Sequence, residues 1–220
     1  MKQTLFITGT DTGVGKTVLT AGLTRHLRER GVQAAALKPV CSGGRGDARG
    51  LRAAMKGALA LDEINPWHFR AAIAPLLAAR AENRRVKLSQ VLAHARTMQK
   101  RFDVLLIEGA GGLLSPLGEQ FDSLDLIKAL RATPIIVAPN RLGVINHVLL
   151  TLAALPKTGR ARAQVVLVSQ PNPDASAKNN AKLLAGLTGT AIFTLPWFGK
   201  KFSAAENRRV ETTFRALAGI

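Results

Sequence analysis

The residues Gly9-Thr10-Asp11-Thr12-Gly13-Val14-Gly15-Lys16-Thr17 are of the types that cradle a phosphate chain. Glycines let the backbone curl so that successive N–H groups converge on anionic oxygens, and a helix opening there adds a partial positive charge. Lys16 is placed to reach the outer phosphates, and the Thr17 hydroxyl suits Mg²⁺. The strict spacing G-x-x-x-x-G-K-[ST] puts glycine where this chain has Thr10, so the loop is a variant with Gly9 displaced by one residue. The plain alternative is a glycine-rich turn with an incidental lysine. It does not account for a strand before the loop, a helix after it and GKT at the junction. Thr12, Gly13, Val14, Gly15, Lys16, Thr17 and Val18 are therefore read as ATP-binding.

A second cluster lies in Asp103-Val-Leu-Leu-Ile-Glu108, followed by Gly109, Ala110, Gly111 and Gly112. A carboxylate at the end of a buried parallel strand lies beside such a phosphate loop, where ligands bind, so Glu108 is expected to hold Mg²⁺. The alternative is a solvated carboxylate at a sheet edge. The adjoining glycines favour close backbone approach to a ligand instead.

These groups need elements to hold them, and the chain alternates between two periods. Apolar, β-rich runs at Thr4–Thr8, Ala34–Lys38, Asp103–Glu108, Pro134–Ala138, Gln164–Ser169 and Ala191–Leu195 predict strands. Lys16–Arg30 predicts a helix with Val18, Leu19, Leu23 and Leu27 on one face and Gly31 as its stop. Ser42–Gly50 reads as a glycine-rich loop, residues 50–101 as helices interrupted at Pro75, and Ala204–Leu217 as a closing helix. Strands alternating with helices imply an α/β fold: one parallel sheet with helices on both faces, in a single domain over residues 1–220.

Composition limits the remaining classes. Apolar residues are 47% of 220, enough for a real core, and no run is long and apolar enough to cross a bilayer. The chain enters its first strand directly, without a signal-peptide pattern, and its one cysteine, Cys41, makes no internal disulfide. Both fit a cytoplasmic protein. The net charge of +17 attracts phosphates of every kind, but the cations are scattered along the sequence, tyrosine is absent and phenylalanine is sparse. They are read as a solvated surface that draws in ATP, and neither nucleic acid nor membrane is expected as a partner.

Several segments in order then resemble the dethiobiotin synthetase family of P-loop enzymes: GTDTGVGKT, Lys38-Pro39-Val40-Cys41-Ser42-Gly43, Glu108-Gly109-Ala110-Gly111-Gly112, and Gly143-Val144-Ile145-Asn146-His147. The combination spans residues 3 to about 198. The resemblance implies an ATP- and Mg²⁺-dependent ligase that carboxylates 7,8-diaminopelargonic acid with CO₂ and closes a urea ring, giving dethiobiotin, ADP and phosphate. A carbamate and a carbamic-phosphoric anhydride lie on the way.

The same resemblance makes Lys38 and Lys16 catalytic. Thr17, Asp47 and Glu108 become metal ligands, with Asp47 on a mobile loop, and Asp47, Glu108, Gly109, Ala110 and Gly111 contact ATP. Thr12 and Ser42 contact the diamine or carbamate. Gly143, Val144, Ile145 and Asn146 receive the substrate carboxylate from the neighbouring subunit of a homodimer. Pro196, Trp197 and Phe198 resemble the family's nucleotide-edge segment.

Two departures bear on specificity. Ser169-Gln170 stands where an Asn-Asp pair commonly reads the base, leaving Gln170 as the candidate contact. Ala74-Pro75-Leu76 stands where Ser-Pro-His is common near the diamine. The competing readings are a partitioning ATPase of the MinD/ParA type, whose loop carries an early lysine where this chain has Asp11, and a stand-alone synthetase acting on another amine.

Overall fold

The structure is a computed structural model that describes residues 2–197 and 204–219. In chain order the first half runs β1 (Gln3–Gly9), α1 (Lys16–Glu29), β2 (Ala34–Leu37), β3 (Val40–Ser42), α2 (Gly46–Ala54), α3 (Leu61–Ile64), β4 (Trp67–Phe69), α4 (Pro75–Ala81) and α5 (Leu88–Arg101). The second half runs β5 (Val104–Gly112), β6 (Pro116–Gly118), β7 (Phe121–Asp122), α6 (Ser123–Leu130), β8 (Thr133–Asn140), α7 (Val144–Ala154), α8 (Lys157–Arg160) and β9 (Gln164–Ser169). A 3₁₀ turn (Ala175–Lys178), α9 (Asn180–Thr188), β10 (Ala191–Leu195) and α10 (Ala204–Ala218) complete it.

Six strands form one sheet in the order β2-β5-β1-β8-β9-β10, and every pairing in it is parallel. Parallel neighbours need crossovers, and the intervening helices supply them. Leu5–Gly9, all of β2, Val104–Glu108 and Pro134–Asn140 are buried without alternation, so both faces of the sheet are covered. This is the P-loop α/β architecture that the strand–helix alternation predicts.

From β1 the chain crosses through α1 to β2, beyond β5, whereas from β5 it crosses back past β1 to β8. The carboxyl ends of β1, β2 and β5 therefore open onto one crevice, the place where open α/β sheets bind ligands.

Local chemistry explains where α1 starts and stops. Gly15 caps it with φ of 100°, and Gly31, with φ of 80°, turns the chain away after the last turn. Leu19, Leu23 and Leu27 recur every fourth residue and are wholly buried. Val18 does not share that stripe: a residue adjacent in sequence lies about 100° around the helix, and Val18 is 45% exposed.

Two further expectations are corrected. Of the stretch 42–50 only residues 43–45 form a loop: Ser42 ends β3 and α2 begins at Gly46, so Asp47 stands in the first turn of a helix. An acidic residue there complements the helix dipole, a signal that the flanking glycines obscured. The region 50–101 is not all helical. It contains β4, which pairs in parallel with β3 in a small second sheet. Three-residue strands leave too short a pattern to stand out from sequence.

Candidate active site

The loop between β1 and α1 has the curl that phosphate binding requires. Gly13 has φ of 74°, and a Cβ built on it would meet nothing within 4 Å, so its approach side is open. At Gly9, by contrast, a Cβ would come within 2.8 Å of the Val14 side chain and 2.9 Å of the Asp11 carbonyl. Only glycine lets the loop fold back this closely. Lys16 is buried and lies over the loop, its Nζ donating to the Asp11 carbonyl at 2.7 Å. Burial, followed by the Lys38 charge, lowers its pKa from 10.5 to about 8. An anion in the loop acts in the opposite direction, by favouring the charged ammonium.

Beside the loop, Lys38 joins two carboxylates from different elements. Its Nζ lies 2.6 Å from Glu108 Oε1 and 2.9 Å from Asp47 Oδ2. The Thr17 hydroxyl donates to the same Glu108 Oε1 at 2.7 Å. Burial by itself pushes the Lys38 ammonium toward neutrality, but Glu108 and then Asp47 outweigh it, and the net direction is upward. For Asp47, burial acts upward, but the charge and hydrogen bond of Lys38, with Thr17 and Lys16, together outweigh it, leaving the carboxyl below its ordinary value. Lys38 is therefore a charged ammonium and Asp47 a carboxylate in the absence of ligand. Glu108 is 1% exposed, and its Oε2 has no hydrogen-bond partner among the described residues. An orphaned buried carboxylate oxygen calls for a cation or a water.

These groups line one cleft of about 770 Å³. The loop side supplies Thr12, Gly13, Gly15, Lys16, Thr17 and Val18; the centre supplies Lys38, Asp47 and Glu108. Ala110, Gly111 and Ser115 close one end, while Cys41, Ser42 and the run Ala72–Pro75 form the far wall. Val18, displaced from the core stripe, thus faces the cleft. The Ser42 hydroxyl donates to the Ile73 carbonyl at 2.5 Å, tying β3 to that wall. The run Ala72–Pro75 is apolar, in keeping with the absence of Ser at 74 and His at 76. Leu76, however, is not among the lining residues; Ala72 and Ile73 take that role.

Sequence reasoning missed the support beneath Lys38. Asn65 is wholly buried, and its Nδ2 donates to the Lys38 carbonyl at 2.7 Å. Its Oδ1 accepts from Cys41 Sγ and from Arg45 Nε, each at 3.2 Å. Arg45 also donates to the Leu61 and Asn65 carbonyls, and it is the residue before α2, whose first turn carries Asp47. One amide thus joins the segment of Lys38 to the helix start of Asp47. A lone Asn after a short helix carries no sequence signal for this; only the fold shows what it reaches.

The remaining expected residues fall elsewhere. Val14 and Gly109 sit beside the cleft without lining it. Glu108 lies within β5, not at its end, because the strand continues to Gly112. Gly143 caps α7 with φ of 90°, and Val144, Ile145 and Asn146 form its first turn; none of the four lines the cleft of its own chain. The Gln170 amide turns back to the Val168 carbonyl at 3.0 Å. Pro196 is buried and Trp197 is 36% exposed, while Phe198 lies outside the described residues. No helix among the described residues is long and apolar enough to cross a membrane.

Comparison with known proteins agrees with this geometry. A family model described as an AAA domain matches residues 3–200. The chain is 42% identical over 199 residues to the ATP-dependent dethiobiotin synthetase of Anaeromyxobacter dehalogenans strain 2CP-C, covering 88% of this chain and 89% of that protein. It is 35% identical over 193 residues to the enzyme of that name from Bacillus subtilis strain 168, covering 85% and 84%. Against that of Methanococcus vannielii it is 36% identical over 155 residues, covering 70% and 74%. Among solved structures, the MinC:MinD cell division protein complex of Aquifex aeolicus superposes with a TM-score of 0.60 at 16% identity, covering 99% and 96%. That likeness is one of fold.

Proposed function

The chain belongs to the ATP-dependent dethiobiotin synthetase family, and from that premise we propose that it carboxylates 7,8-diaminopelargonic acid with CO₂ and closes the urea ring at the expense of ATP. The observation that carries the reading is Lys38 Nζ held between Glu108 and Asp47 in the same cleft as the loop lysine and Thr17.

In this reading one amine of the substrate adds to CO₂ and loses a proton, giving a carbamate. A carbamate oxygen then attacks the γ-phosphorus and ADP leaves. The second amine attacks the carbonyl carbon of the mixed anhydride, expelling phosphate and closing the five-membered ring. Such phosphoryl transfer asks the protein for positioning and charge neutralisation more than for covalent chemistry. Lys16 and the N–H groups of residues 12–17 hold the phosphate chain. Lys38 offers a fixed positive charge to the carbamate and the transferring group. Thr12 and Ser42 orient the amine end, and the apolar Ala72–Pro75 wall accommodates the aliphatic chain. Excluding water there protects the anhydride from hydrolysis.

Mg²⁺ fits the residues present. Thr17 Oγ1, the Asp47 carboxylate and the unpartnered Glu108 Oε2 are hard oxygen donors of the kind that ion takes, and it would neutralise charge on the β- and γ-phosphates. The same reading makes the protein a homodimer, with α7 as the element that would serve a second subunit. None of Gly143–Asn146 lines the cleft of its own chain, so the N–H groups of Ile145 and Asn146 at this helix start would serve the substrate carboxylate of a second subunit. Cytoplasmic residence belongs to the same reading, as does adenine contact through Gln170, Pro196, Trp197 and Phe198.

The decisive experiment measures ADP release with diamine, bicarbonate, Mg²⁺ or ATP omitted in turn, with dethiobiotin identified as product by mass spectrometry. Turnover requires all four. ADP release that ignores the diamine, or that another diamine supports better, overturns the substrate assignment.

A further inference from the structure

The fold collects on one edge cations that the sequence scatters. In a parallel sheet all strands start at the same edge, so the segments leading into β5, β1, β8 and β9 lie side by side, opposite the catalytic crevice. Those segments carry Lys100 and Arg101, Lys2, Lys128 and Arg131, then Lys157, Arg160 and Arg162. Residues 99–103, 2–3, 128–132 and 156–163 contain a single carboxylate, Asp103. Arg101 is paired with Glu63. None of the other seven has a carboxylate at ion-pair distance among the described residues.

We propose that this edge binds the phosphate backbone of nucleic acid, without regard to base sequence. Four adjacent strands at about 4.8 Å spacing lay the cations along a stripe roughly 14 Å in extent. The stripe is braced from within: Lys2 Nζ donates to the Lys100 carbonyl at 2.8 Å, and Arg162 Nη1 donates to the Arg131 carbonyl at 3.0 Å. Two grooves of about 600 and 450 Å³ flank Arg162, one edged by Lys157 and Arg160, the other by Lys128 and Arg131. Several grooved cations in a row suit a repeating anion better than a single one, which would need them converged on one point.

The chemistry of the neighbours narrows the partner. No exposed large apolar side chain lies in these four segments, whereas an element that settles on a lipid surface needs such anchors. Base readout needs stacking platforms or groove-entering side chains, and the stripe presents neither, so recognition stops at phosphates. Because the stripe and the cleft lie at opposite ends of the strands, nucleic acid and ATP bind without competing.

The test is fluorescence anisotropy of the full chain with a labelled random-sequence duplex DNA across a salt series from about 50 to about 200 mM. Affinity is expected to fall log-linearly with salt. Arg131→Ala with Arg162→Ala should weaken binding at least about tenfold at low salt and flatten the slope by roughly 1 to 2. Arg208→Ala with Arg209→Ala, which removes equal charge from α10, should leave binding near wild type, and the affinity for ATP should be the same in all three proteins. Should the first pair lower the melting temperature, Lys157→Ala with Arg160→Ala decides in its place. The proposal is overturned by absence of binding at low salt, by equal weakening in the α10 pair, or by binding to phosphatidylserine vesicles with none to DNA.

Discussion

Lys38 Nζ lies 2.6 Å from Glu108 Oε1, and the two side chains are 4% and 0% exposed. A buried pair of this kind contributes less by existing than it costs when half of it is removed. Lys38→Ala therefore does more than delete a charge from the cleft: it leaves the Glu108 carboxylate buried against Thr17 alone. We expect loss of ring closure together with destabilisation of about 3 kcal/mol, of which Mg²⁺ restores part by replacing the lost cation. Thermal melts with and without Mg²⁺ check this. A variant as stable as wild type in EDTA would show that the contact between Lys38 and Glu108 does not hold this part of the fold.

Asn65 holds the Lys38 carbonyl on one side and Arg45 on the other. Asn65→Ala leaves that carbonyl and part of the guanidinium without their partner, a cost of about 1–3 kcal/mol. A wider consequence concerns geometry: Lys38 and Asp47 lose their common reference, while residues 9–17 are untouched. The expected signature is a fall in kcat of about tenfold or more and a higher Mg²⁺ half-saturation, with KM for ATP near wild type. A loss of stability with unchanged Mg²⁺ half-saturation would reduce Asn65 to a packing residue.

The contrast between these two residues shows what sequence can and cannot convey. Lys16, Lys38 and Glu108 stand at fixed offsets from strand ends and glycines, so their placement follows from local pattern plus the parallel-sheet rule. Asp47 was legible as a residue but not as part of a helix, because Gly43, Gly44 and Gly46 mask a helix start that Arg45 and Asn65 stabilise from a distance. Asn65 had no signal, since its role is set by hydrogen bonds to residues 20 and 27 positions away. The basic edge was hidden for a related reason: sequence order separates Lys2 from Arg131, and strand order brings their segments together.

Lys16 predicts a pH dependence with a definite sign. In the free protein its pKa is lowered to about 8, first by burial and then by Lys38. A phosphate chain stabilises the ammonium, so the bound pKa is higher than the free one. Binding then takes up a proton between those two values. Affinity is flat below about 8 and falls as pH rises above it, by at most about tenfold per unit until the bound pKa is reached. Calorimetry of ATP binding in EDTA at pH near 9, in two buffers of different ionisation enthalpy, should report proton uptake. Proton release, or none, would contradict the assignment, and Lys16→Met should abolish the effect.

Gly109 follows Glu108, and its conformation is ordinary, so its requirement is one of space. A Cβ built there would lie 2.6 Å from Ser123 Oγ and 3.2 Å from the Phe6 ring. Ser123 is wholly buried and its hydroxyl has no partner among the described residues, so it cannot be drawn aside into solvent. Gly109→Ala should therefore force β5 and α6 apart at a cost of about 1–3 kcal/mol, lowering the melting temperature by several degrees. Because the displaced strand also carries Glu108, Mg²⁺ half-saturation should rise in the same variant. Ser123→Ala alone removes an unsatisfied hydroxyl and should be close to neutral. Combined with Gly109→Ala it should recover part of the loss, a coupling of about 1 kcal/mol in a double-mutant cycle, with the Phe6 contact accounting for what is not recovered. Strict additivity of the two substitutions would mean that the strand yields elsewhere and that Ser123 does not set the spacing of Glu108.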